Sequence, residues 1–141
     1  MRTITNVSLW TVRVSGTLQL VLGILFWTGH AYQLLPLHIV NGFVIVLTLW
    51  TTAALAFLAR TRQGLAVFGL LWGLALPAFG IIQATLLVGP MHWIVRVTHL
   101  LTGLVAMGVA GTLGQAVLAA MPPVVRSSDR MVSTSLQRRA P

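Results

Sequence analysis

The sequence predicts an all-α integral membrane protein, a four-helix bundle of two helix hairpins related by an internal duplication. Three observations carry that expectation. Mean hydropathy is +0.91, and 57% of the 141 residues are hydrophobic while only 7% are charged; soluble domains carry roughly 25% charge. Four apolar runs are each long enough to cross about 30 Å of hydrocarbon, which takes roughly 20 helical residues. The arginines punctuate the ends of those runs, as they do in membrane proteins.

The first run covers about 14–33 and stops before Pro36. No small-x-small cleavage site follows it, so it is expected to remain as a span and not to leave as a signal peptide. The second covers 37–59 and is closed by Arg60-Thr61-Arg62-Gln63-Gly64. The third covers 65–88 and ends at the breaker Gly89-Pro90, with Pro77 as a tolerated kink and Gln83 as an interhelical hydrogen bonder. The fourth covers 93–120 and stops at Pro122-Pro123, which cannot continue a helix. Inside a bilayer every backbone polar group must pair within its own segment, so the spans must be helices. Residues 1–121 form the transmembrane unit by this reading, and 122–141 a disordered, basic cytoplasmic tail.

Arginine placement sets the orientation. Arg2, Arg13, Arg60, Arg62, Arg126, Arg130, Arg138 and Arg139 fall on one side if the spans alternate, and only Arg96 falls on the other. The positive-inside rule then puts both termini in the cytoplasm of a multi-pass protein of the bacterial inner (cell) membrane. The net charge of +8 does not point to nucleic acid, because the arginines form no basic, aromatic-laced patch. Cysteine is absent, which excludes disulfides, thiolate metal sites and covalent heme attachment. The lone acid is Asp129, so paired-carboxylate chemistry has no residues within the spans.

Two stretches read alike: Leu37-His38-Ile39-Val40-Asn41-Gly42 and Thr98-His99-Leu100-Leu101-Thr102-Gly103. Each sets a histidine near the outer end of a span with a glycine four residues further in. His38 lies 22 positions from Arg60 and His99 lies 23 from Pro122, so the two sit at matching depth on helices that run the same way. Gly23 and Gln33 also match Gly73 and Gln83 at a constant offset of 50, and the histidine elements correspond after an insertion of 11 residues.

A depth-matched histidine pair suits axial ligation of one non-covalent heme b, and two imidazoles leave no open iron position. Gly42 and Gly103, on the histidine face of their helices, would let a porphyrin edge approach the backbone. Arg96, one turn outward from His99, is suited to a propionate carboxylate. His30 and His92 are secondary candidates on the same outer side. Plainer readings stand beside each of these. The histidines can be interfacial or hydrogen-bonded between helices, Arg96 can snorkel, and the glycines can be packing contacts. A copper or zinc cluster of His30, His38, His92 and His99 is a further alternative, although no carboxylate is present to orient the imidazoles.

Histidines opening spans two and four near the outer face make residues 14–120 resemble one four-helix half of heme A synthase. The chain resembles, more loosely, other four-helix membrane b-type cytochromes. The resemblance implies His38 and His99 as axial ligands of heme b. Heme A synthase has two such halves and an acidic residue in its first outer loop, whereas Ala31 to Leu37 contains no acid. The expectation is therefore an electron-transfer protein and not a heme-modifying enzyme, exchanging electrons with quinone, a redox partner subunit or its own homodimer partner. The alternative is a heme-free membrane subunit or scaffold of a larger complex.

Overall fold

In the computed structural model, residues 1–122 are described, and among them every regular element is helical. The tail expected from 122 to 141 lies outside the described residues apart from Pro122. Four helices, α1 (Arg2–Trp27), α2 (Leu35–Leu58), α3 (Gln63–Ile82) and α4 (His92–Ala119), are long and apolar enough to cross a membrane. A 3₁₀ turn at Tyr32–Leu34 leads into α2, and another at Gln83–Thr85 closes α3. The helices alternate in direction as a four-helix bundle. Arg2 donates to the Pro122 carbonyl oxygen at 2.8 Å, which ties the start of α1 to the end of α4.

The first helix departs most from the sequence reading, starting at Arg2 rather than near residue 14 and stopping at Trp27 rather than 33. Polar residues between Arg2 and Arg13 lower the local hydropathy, but they still make a helical face. Thr5, Ser8, Leu9, Val12, Ser15 and Gly16 recur at three- and four-residue spacing and are buried. Arg13, expected at the inner boundary, therefore lies within the helix and is exposed. The early stop is a capping event. Gly29 takes φ +83, its N–H bonds the Phe26 carbonyl, and the His30 N–H bonds the Leu25 carbonyl at 2.8 Å. These two bonds are the Schellman pair that ends a helix at a left-handed residue. The third helix likewise stops at Ile82, short of the expected 88.

The central contact is between α2 and α4, with α1 and α3 on opposite flanks of that pair. Ile45, Leu49, Ala53 and Ala56 of α2 meet Ala106, Val109, Ala110, Leu113 and Val117 of α4 in the buried core. Small residues let these helices come close, which is how membrane helices gain packing energy without a hydrophobic difference from lipid. A Cβ on Gly114 would lie 2.7 Å from Leu9 Cδ2, and one on Gly69 3.2 Å from Leu49 Cδ1. A Cβ on Gly73 would collide with the Trp50 indole, whose N–H donates to the Leu70 carbonyl. The repeat pairs Gly73 with Gly23, yet these two have different surroundings: nothing lies within 4 Å of a Cβ on Gly23. This dense core occupies the arginine-bearing part of the bundle. Toward the other end the packing opens.

Candidate functional site

The opening is a cavity of about 490 Å³ at the histidine end, reached by all four helices, a size within the usual range for small-molecule and cofactor sites. Each helix contributes one glycine to its wall: Gly23, Gly42, Gly80 and Gly103. Space remains around Gly23 and Gly103, a Cβ on Gly80 would lie 3.8 Å from the His99 ring, and one on Gly42 would lie 3.4 Å from Gln19 Nε2. Pro77 also lines the cavity. Having no N–H, it leaves the Gly73 carbonyl without its helical partner and loosens α3 beside the site. The remaining wall is largely apolar.

His38 and His99 line this cavity from α2 and α4, with ring centroids 6.2 Å apart and planes inclined by 41°. Packing holds both rings. Phe26 meets His38 edge-on at 5.3 Å, and Phe79 stacks on His99 at 5.9 Å. His38 is tied further into a polar chain. Asn41 Nδ2 donates to the Ser15 carbonyl at 2.8 Å and to Gln19 Oε1 at 2.7 Å. With its oxygen so engaged, Gln19 turns its nitrogen to the His38 carbonyl at 3.2 Å and to His38 Nε2 at 3.0 Å. An amide nitrogen only donates, so His38 Nε2 accepts and the ring proton sits on Nδ1. His38 Nδ1 and His99 Nδ1 are both buried without a hydrogen-bond partner. Buried polar atoms are nearly always satisfied, so two such nitrogens on neighbouring rings need an explanation.

The other sequence candidates lie elsewhere. His30 is exposed, with Nδ1 3.1 Å from the Thr28 hydroxyl, and His92 is half-buried, its Nδ1 donating to the Leu86 carbonyl at 3.1 Å. Neither lines the cavity. Among the described residues no three His, Cys, Asp or Glu side chains gather, so the four histidines do not converge as a copper or zinc cluster. Arg96 is exposed and is not part of the cavity wall. Gln83, expected to bond between helices, is a half-buried part of that wall.

The residues fit a metal held between two imidazoles. His38 and His99, with ring centroids 6.2 Å apart, would hold the group, and imidazole nitrogens are good ligands for a heme iron. A glycine from each helix leaves side-chain-free space on every wall of the cavity. Comparison with protein-family models, with curated proteins and with solved structures gives no significant match.

Proposed function

We propose that this chain is a multi-pass membrane protein that holds one non-covalent heme b between His38 and His99 and serves electron transfer. The observation that carries the reading is the pair of imidazoles 6.2 Å apart over a four-glycine cavity. Bound there, the heme would supply one-electron redox chemistry, and two histidine ligands would leave no position for oxygen. Everything else falls to this chain's side chains. Phe26 and Phe79 fix the ring planes, and the Asn41–Gln19 chain fixes the rotation of His38. The apolar wall keeps water from the site. As the rings stand, Gln19 occupies His38 Nε2, so ligation through that nitrogen requires the Gln19 amide to withdraw to the His38 carbonyl.

The arginine distribution supports a topology with both termini in the cytoplasm of a bacterial inner membrane and the cavity toward the outer leaflet. A site near one face passes electrons only along that face, so a quinone, a redox partner subunit or a second copy completes the path. The test is a reduced-minus-oxidised spectrum of protein purified from heme-replete cells. Sharp low-spin bands that disappear in His38→Ala and in His99→Ala support this reading.

One observation favours a second reading, a heme-free structural subunit. The Gln19–His38 contact and the Asn41 bonds satisfy several intramembrane polar groups without any cofactor. On that reading His38 is an interhelical hydrogen-bonding node, and the purified protein is colourless.

A further inference from the structure

A second, smaller hollow of about 220 Å³ lies between α1 and α4 toward the arginine-bearing end of the bundle and adjoins the histidine cavity at Leu20 and Met107. Its floor is Gly16 and Gly111, its upper end Leu20 and Met107, and its polar rim Arg13 and Gln115. Both rim residues are exposed. No side chain lies within 4 Å of a Cβ on Gly111, so the floor is open there, while Met107 covers Gly16.

Depth can be read along the helices. About 30 Å of hydrocarbon is roughly 20 helical residues, which measured from Trp27, the last residue of α1, reaches the level of Val7 and Ser8. Leu9 meets Gly114 and Gly16 meets Met107 across the α1–α4 contact, so Gln115 stands opposite Ser8, at that boundary. Arg13 starts more than a helical turn deeper in the hydrocarbon. Helical side chains lean toward the N-terminus, so the Arg13 chain runs back down toward the headgroups, and its guanidinium lies 5.6 Å over the Trp10 ring. Gln115, on the antiparallel helix, leans the opposite way and toward it. Residues 1–122 contain no carboxylate at all, so no acid of the bundle can neutralise this cation.

We infer that the hollow is a binding site for one anionic phospholipid of the leaflet at the arginine-bearing end. Arg13 and Gln115 hold the phosphate, and the first part of an acyl chain lies over Gly111, beside Met107. The guanidinium and the amide nitrogen supply donors, and phosphate oxygens supply acceptors. The cytoplasmic leaflet, where the arginines place this end, is the one that attracts basic groups to anionic lipid. Its polar rim lies outside the histidine cavity, while Leu20 and Met107 wall both.

The full chain, purified in dodecyl maltoside with mixed phosphatidylglycerol and phosphatidylcholine, is examined by native mass spectrometry. The expected result is one phosphatidylglycerol retained per chain, with phosphatidylcholine released. Losing the charge-assisted contact in Arg13→Gln should cut retention about tenfold. Gly111→Leu keeps the charge but fills the floor, and it should also lose the lipid while retaining the helical circular dichroism of the parent. Equal retention of the two lipids overturns the inference. So does undiminished phosphatidylglycerol on a folded Gly111→Leu chain, or displacement of the lipid by equimolar inorganic phosphate.

Discussion

Gln19 Nε2 lies 3.0 Å from His38 Nε2 and 3.2 Å from the carbonyl oxygen of the same residue, so one amide of α1 grips both the ring and the backbone at the N-terminal end of α2. Asn41 decides which end of that amide faces the histidine, because it holds Gln19 Oε1 at 2.7 Å. On the heme reading, the grip would couple the stability of the bundle to the ligand state of His38.

Gln19→Leu removes this coupling. The Asn41 amide keeps only the Ser15 carbonyl, and His38 Nε2 loses its donor. The expected cost is about 1–2 kcal/mol in an unfolding titration from dodecyl maltoside into dodecyl sulfate, the range for interhelical hydrogen bonds in membranes. On the heme reading the same variant should bind heme at least as well as the parent, because the nitrogen is released. Weaker heme binding with unchanged stability would contradict the account of this contact.

Glycines of the bundle should divide into two classes. Gly73→Ala drives a Cβ into the Trp50 ring and endangers its bond to the Leu70 carbonyl, so a loss of about 1–3 kcal/mol is expected, as for overpacked cores. Gly23→Ala and Gly103→Ala enter open space and should stay within about 0.5 kcal/mol of the parent. The same titration reads all three. Equal effects would mean that the cavity closes in the membrane.

Arg60 holds φ +51 where α2 ends, its N–H bonded to the Phe57 carbonyl, with Thr61 bonded to the Ala56 carbonyl at 3.0 Å. This is the left-handed position of a Schellman cap, which glycine fills without a Cβ penalty. Arg60→Gly is therefore expected to raise stability by about 0.5–1 kcal/mol, with Arg62 left to carry the charge of the loop. A drop in stability would show that the arginine makes a contact worth more than the strain.

Arg96→Gln is expected to leave the cavity as it is. The residue is exposed and outside the wall, so heme content per chain, if heme is bound, should equal that of the parent. A large loss would return Arg96 to the propionate role that its spacing from His99 suggests.

Spacing in the sequence made much of this architecture legible, and the reasons for the exceptions are specific. The spans of α2 and α4 start and stop within two residues of expectation, because Pro36, the Arg60 loop and Pro122 interrupt nearly uniform apolar runs. The start of α1 was hidden, since Thr5, Ser8 and Ser15 lower hydropathy while packing as small residues. His38 and His99 share a depth on neighbouring helices, and that does place their rings together. Arg96 shows the limit of such reasoning: three residues from His99 sets it near the same face, but a few tens of degrees of helix rotation keep it out of the cavity. Gln19 and Asn41 share no spacing that pairs them, although polar amides inside apolar runs are themselves a signal. Gly80 could not be picked out from the other glycines without knowing which face of α3 meets α4.

The most direct test of the central claim is heme stoichiometry with its optical spectrum, measured on the full chain from heme-replete cells. The variants His38→Ala, His99→Ala, His30→Ala and His92→Ala are measured alongside. The account expects one heme per chain with sharp bis-histidine bands, lost in the first two variants and kept in the last two. A colourless parent protein, or full heme in both His38→Ala and His99→Ala, would contradict it.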